Sequence, residues 1–142
     1  MNDLAELKLP THSLEAEQSV LGGLLIDNAG WDKIADVVVE ADFYAGEHRR
    51  IFRAIALLLE TSKAADAITV AEMLEKHGQL EQAGGLPSIG NLIQNTPSAA
   101  NIRRYAEIVR EHSLVRRVAS AAQDISVKAF SHSGMSGADL VD

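Results

Sequence analysis

Residues 99–130 read AANIRRYAEIVREHSLVRRVASAAQDISVKAF. Apolar side chains recur at Ile102, Tyr105, Ile108 or Val109, Val115, Val118 or Ala119, Ala122, Ile125 and Ala129. Steps of three and four residues are the period of one face of an α-helix. Ser98, directly after Pro97, can cap the start. At 1.5 Å per residue the helix is ~45 Å long, whereas a head of ~100 residues has a radius of gyration of ~13 Å. The head cannot cover the whole stripe, so the helix needs a partner from this chain or from another copy. The expected pairing residues are Tyr105, Val109, Val115, Val118 and Ala122.

On the N-terminal side the pattern stays helical. Residues 1–12 show no sustained period and read as a flexible lead-in. Ser13 caps a helix whose first turn holds Glu15 and Glu17, with Leu14, Leu21, Leu24 and Leu25 on one face. Gly22-Gly23 should cost ~2 kcal/mol relative to two alanines. Close approach of another helix would compensate, which places this helix at the crowded centre of the head. Asp27-Asn28-Ala29-Gly30 is a turn, followed by a short helix with Trp31, Ile34 and Val38. Val37-Val38-Val39 is too short and too isolated to build a sheet. Ile51, Phe52, Ile55, Leu58 and Leu59 form an apolar stripe from about Gly46 to Ser62, with Arg49, Arg50, Arg53 and Glu60 on other faces. Thr69-Val70-Ala71-Glu72 reads as a capping box, and its helix stops at Lys76-His77-Gly78. A short helix around Ser88–Asn95 follows the Gly84-Gly85 turn.

On the C-terminal side Ser133-Gly134 breaks the pattern. Ser136-Gly137-Ala138-Asp139 resembles a capping box, so a second hairpin arm is expected to begin there and to be cut short. The chain therefore reads as all-α: lead-in 1–12, helical head 13–97 and helical hairpin 98–142.

Composition agrees with an ordinary globular protein, at 46% apolar and 23% charged residues. With no cysteine, disulfides and thiolate metal sites are excluded. The polar N-terminus lacks the apolar core of a signal peptide, and the longest uncharged run of the first helix, Gln18 to Ile26, is far short of a membrane span. A cytoplasmic location is expected. Residues 1–95 carry seven Lys/Arg against fifteen Asp/Glu, and residues 96–142 six against five. An acidic head disfavours direct binding of a phosphate backbone.

No catalytic, cofactor or metal constellation emerges. Gly22-Gly23 and Gly84-Gly85 lack the Gly-Lys-Ser/Thr of a phosphate loop. His12, His48, His77, His112 and His132 lack zinc-site spacing and read as surface or helix-end residues. Ser113 beside His112 is no dyad, because adjacent helical residues point apart. The pairs Arg49-Arg50, Arg103-Arg104 and Arg116-Arg117 read as helix-surface ion pairs with Glu47, Glu107 and Glu111.

SLEAEQSVLGGLLID (residues 13–27) resembles the opening of the DnaB-type replicative DNA helicases. Further parts of that pattern follow in order: Asp42-Phe43-Tyr44, the helix from His48 to Phe52, Asp66-Ala67-Ile68-Thr69-Val70, Gly84-Gly85, and PSAANIRRYAEIVREHSLVRRV from Pro97 to Val118. The resemblance implies an N-terminal collar domain in which hairpins pair, giving dimers and a hexameric ring built as a trimer of dimers. It also implies docking of the primase DnaG, a helicase loader as a further partner, and DNA contacted mainly by a separate motor domain. ATP and Mg belong to that motor domain, and no cofactor to this one. By position the primase surface falls on Ser88, Ala119 and Ile125. Ser88 stands where other members often carry tyrosine, and Ala119 where they carry a larger apolar residue, so both offer less apolar area at roughly 25 cal/mol per Å². Two other readings of the residues are a helix-turn-helix DNA-binding regulator using residues 69–95 and a helical oligomerisation module unrelated to replication.

Overall fold

The computed structural model describes residues 9–131 and 136–138. The described residues form six α-helices and two single 3-10 turns, with no strand among them. Helix α1 spans Leu14–Ile26, and a 3-10 turn at Asn28–Gly30 leads into α2, Trp31–Ile34. A second 3-10 turn, Glu40–Asp42, precedes α3, Gly46–Glu60. Then come α4, Ala67–Lys76, α5, Gly85–Gln94, and α6, Ile102–Ser131. Val37-Val38-Val39 forms no strand, since the Val37 and Val38 amides close turns onto the Ile34 carbonyl. The expected break at Ser133-Gly134, His132, and the expected second arm beyond residue 138 lie outside the described residues. So do residues 1–8 of the lead-in.

Contacts place His12 to Ser113 in one unit, and the described residues from Leu114 onward, with residues 9–11, in another. The first twelve residues of α6, Ile102–Ser113, therefore lie with the head. Ile102, Ala106, Val109 and Ser113 are the buried residues of α6, at the four- and three-residue steps of a single helical face.

Helix α1 is the centre of the head. Ser13 Oγ accepts from the Ala16 amide at 3.2 Å, as its N-cap position requires. Val20 to Leu25 are buried without a break. Leu14, expected on the buried face, is 43% exposed, because it lies at the first helical position, outside the packed turns. A Cβ on Gly22 would stand 2.5 Å from the Leu92 carbonyl oxygen and 2.8 Å from Thr96 Cβ. Helix α5 thus packs directly on the α1 backbone at Gly22, while a Cβ on Gly23 would stand 3.1 Å from Ile102 Cδ1 at the start of α6.

Around α1, the core takes Ile34, Val38 and Phe43, then Ile51 and Ile55 of α3, Leu74 of α4, Ile89 of α5 and Ile102 of α6. Full burial of each such side chain contributes about 1.5–3 kcal/mol. Phe52 joins its neighbours through ring contacts at 4.8 Å to Phe43 and 5.8 Å to Trp31. Asn28 ties the C-terminal turn of α1 to the loop before α4. Its side-chain amide donates to the Leu24 and Ala65 carbonyls, and its oxygen accepts from the Ala65 amide.

Three helix starts differ from the sequence reading, α5 beginning at Gly85 rather than near Ser88. Helix α4 begins at Ala67, and its cap is Asp66, whose carboxylate accepts from the Thr69 amide at 2.8 Å while Thr69 Oγ1 accepts from the Asp66 amide at 2.9 Å. Thr69 is thus the last residue of the box, the third of the helix, rather than its first; a carboxylate facing the helix dipole outcompetes a hydroxyl. Ser98 accepts from the Ala100 amide, which makes a turn and delays α6 to Ile102. Gly78, at φ +69°, ends α4 as expected.

Candidate functional site

Two buried carboxylates organise the stretch between α2 and α3. Glu17 sits in the first turn of α1 and is 1% exposed. Its oxygens accept from the Tyr44 amide at 2.7 Å, the Ala45 amide at 3.3 Å and His48 Nδ1 at 2.8 Å. Burial pushes the carboxyl up, but the hydrogen bonds from His48, Tyr44 and Ala45 outweigh it and hold Glu17 below the ordinary carboxylate range. An ionised carboxylate only accepts, so Nδ1 is the protonated nitrogen of His48. His48, read from the sequence as a surface or helix-end residue, stands at the start of α3 but is buried, and Glu17 of the first turn is an interior residue that shares a face with Val20, Leu21 and Leu24. His12, at the end of the expected lead-in, stacks on Tyr44 with ring centroids 4.0 Å apart.

Asp42 is 0% exposed. One oxygen accepts from the Val39 amide at 2.8 Å, the other from Ser113 Oγ at 2.7 Å and Arg110 Nη1 at 2.8 Å. Ser113 is therefore engaged by Asp42. Each carboxylate is enclosed and met by protein donors, and no buried side-chain polar atom among the described residues lacks a partner. Charge-assisted bonds of this kind contribute about 1.5–3 kcal/mol each. They hold the fold together and leave neither acid open to an outside molecule. No group of three or more potential metal ligands occurs among the described residues.

The arginine pairs do more than make surface ion pairs. Arg104 lies 3.8 Å from Glu107, and Arg103 lies 3.5 Å from Asp36. Arg103 also donates to the Lys33 carbonyl, Arg116 to the Thr11 carbonyl, and Arg49 to the Phe43 and Tyr44 carbonyls. The sequence reading expected Arg49 or Arg50 to pair with Glu47, but among the described residues no ion pair links them.

The candidate interaction surface is the face of α6 beyond Ser113. Val115 is 48% exposed, Val118 70% and Ile125 51%, and Ala119, Ala122 and Ala129 are exposed as well. Val115, Val118, Ala122, Ile125 and Ala129 follow a three-four-three-four spacing, the seam of a helix that pairs with another helix. The alanines on it allow close approach. Two of the expected pairing residues are corrected: Val109 is 2% exposed and Tyr105 is half-buried against the core. They serve the head itself, because the first turns of α6 pack there.

Of the expected primase residues, Ile125 falls on this seam with Val118 and Ala122. Ala119 is turned about 120° from Ile125 around the helix and lies at the edge of the seam. Ser88 stands in the first turn of α5, half-buried, and a Cβ on Gly84 would be 2.6 Å from its Cβ. Ile125 thus shares one exposed face of α6 with Val115, Val118 and Ala122, and Ser88 belongs to α5.

Comparison with known proteins gives concordant results. The model of the DnaB-like helicase N terminal domain family matches residues 9–111. The replicative DNA helicase DnaB of Pasteurella multocida (strain Pm70) is 42% identical over 134 residues, covering 94% of this chain and 29% of that protein. The chain thus spans less than a third of the length of such curated relatives. The crystal structure of the N-terminal domain of DnaB helicase from Mycobacterium tuberculosis is similar at a TM-score of 0.91 and 36% identity, over 94% of each chain. The N-terminal domain of DnaB helicase from Helicobacter pylori, described with its interactions with primase, shares the fold at a TM-score of 0.73 and 22% identity, over 92% of this chain and 99% of that one.

Proposed function

This chain belongs to the family of DnaB-like helicase N-terminal domains, and we propose that it is the assembly and docking collar of a replicative DNA helicase. In this reading it has no chemistry of its own. A separate motor domain hydrolyses ATP with Mg and contacts DNA, in the cytoplasm. The collar pairs with copies of itself, as dimers and as a hexamer built from three dimers. It also receives the primase DnaG, with a helicase loader as a further partner. Family membership sets aside the helix-turn-helix regulator.

One observation carries the proposal: the seam of Val115, Val118, Ala122, Ile125 and Ala129 is apolar, regularly spaced and open to solvent. Apolar side chains repeated on one exposed helical face find their free-energy minimum against another helix. The test is sedimentation of the chain at tens of micromolar, with Val118→Asp as the disrupting variant. Association that Val118→Asp abolishes supports the pairing. A monomer with an ordered α6 overturns it.

The docking role rests on Ile125 at the seam, on Ser88 at the start of α5, and on the interaction with primase described for the Helicobacter pylori domain. Its test is calorimetric titration of the full-length helicase with primase. Ile125→Asp should weaken binding at least tenfold while the hexamer persists. Unchanged affinity in an intact hexamer removes Ile125 from the docking surface.

A further inference from the structure

Helix α3 carries Arg49, Arg50 and Arg53 in a head that is otherwise acidic. Arg49 is committed to the Phe43 and Tyr44 carbonyls at 2.9 and 2.7 Å. Arg53 makes only a loose, exposed pair, with Nε 3.9 Å from Glu40. Arg50 is half-buried and has neither hydrogen bond nor ion pair among the described residues. A guanidinium that has lost part of its water and gained no acceptor is a ready anchor for an anion, and its planar fork suits a carboxylate.

What lies beside it decides the kind of anion. Arg50 and Arg53 border a cavity of about 120 Å³ whose apolar walls are Ala54, Leu57, Met73 and Leu74. That is several times the ~10–15 Å³ one water needs, and enough for a branched aliphatic side chain. A second cavity of about 150 Å³ shares Arg50, Arg53 and Gln79 and is lined by Glu40 as well. An apolar slot with guanidiniums at its lip recognises an apolar side chain flanked by carboxylates. A phosphate polymer fits worse, since its backbone offers no aliphatic side chain to the apolar walls of the cavity.

We propose that Arg50, Arg53 and the apolar slot between α3 and α4 form a docking site for a short acidic peptide segment of a partner protein. One aliphatic side chain enters between Leu57 and Met73. Neighbouring carboxylates pair with Arg50 and displace Glu40 from Arg53.

The experiment is a titration of the isotopically labelled chain with the peptide Asp-Asp-Leu-Glu-Asp, acetylated and amidated at its ends, followed by backbone NMR. Shifts should concentrate at Arg50, Arg53, Met73, His77 and Gln79. Binding should weaken about tenfold between about 50 and about 300 mM salt, and at least tenfold in Arg50→Glu or when the peptide leucine becomes asparagine. Arg53→Gln is the second variant should Arg50→Glu fold poorly, and it too should bind at least several-fold more weakly. Absence of shifts at millimolar peptide, shifts elsewhere, or equal binding of the leucine-free peptide overturns the proposal. Tighter binding of an oligothymidylate to the same residues reassigns the site to nucleic acid and overturns it as well.

Discussion

Gly22→Ala sets two opposing effects against each other in one methyl group. In the interior of a helix, alanine is favoured over glycine by about 0.8–1.0 kcal/mol. At Gly22 the new Cβ would stand 2.5 Å from the Leu92 carbonyl oxygen, where ordinary contact begins at 3.4 Å. The shortfall of 0.9 Å falls on backbone of α5, which cannot rotate away as a side chain could. Overpacking costs about 1–3 kcal/mol, and a backbone obstacle puts this site at the upper end. The expected net effect is a loss of about 2 kcal/mol, or roughly 8–16 °C in Tm for a domain near 100 residues. Gly90→Ala is the internal standard: it lies inside α5 with nothing within 4 Å of the added Cβ, so it should gain up to about 1 kcal/mol. Urea unfolding followed by circular dichroism measures both. If Gly22→Ala is as stable as the parent chain or more so, α1 and α5 do not meet at Gly22 and the account of the head is wrong. If Gly90→Ala also loses stability, the propensity half of the balance fails.

Three further outcomes follow from the buried carboxylates and the α4 cap. Because the folded-state pKa of Glu17 is lowered from the ordinary 4.5, its contribution is fully present above about 4.5 and is lost as the pH falls through the lowered value. Glu17→Gln should therefore flatten stability against pH on the acid side of 4.5, and an unchanged acid slope would show the carboxylate to be unimportant there. Asp42→Ala strands the Ser113 hydroxyl and the half-exposed Arg110, and should cost about 2–3 kcal/mol in urea unfolding, the partial exposure of Arg110 discounting the figure for a buried pair; a loss under 0.5 kcal/mol refutes the clamp. Asp66→Ala removes the cap of α4 and should cost about 1 kcal/mol, with Asp66→Asn retaining most of it; equal losses in both variants would point to charge rather than to the cap.

Much of the fold was legible because its signals are local. Ser13 before α1, Gly78 after α4 and the period of α6 each speak within one or two helical turns. The glycine pair of α1 also pointed correctly to a crowded centre. Glu17 and Asp42 were not legible in that way, since their partners stand far off in sequence: Tyr44 is 27 positions from Glu17, and Ser113 is 71 from Asp42. Reading acids as surface residues fails when backbone amides and arginine come to meet them. A signal was available for Glu17, which precedes Val20, Leu21 and Leu24 by three, four and seven positions and so lies on their face. Of the candidate surface, Val115, Val118, Ala122 and Ile125 were legible from spacing. Val109 and Tyr105 belong to the same stripe but pack against the head, and periodicity alone does not mark where the head's share of the stripe ends.

The stretch from Val39 to Ala45 has a further consequence for how the chain reaches this structure. Its Val39, Tyr44 and Ala45 amides are satisfied by the carboxylates of Asp42 and Glu17, and Asp42 in turn by groups on α6. Closing a loop from Asp42 to Ser113 costs conformational entropy that the contact returns only once α6 has arrived. The helices can form early from neighbouring contacts, but this connector takes its shape only after distant parts of the chain have come together. It is thus expected to order late in folding and to be among the first segments released when the head opens.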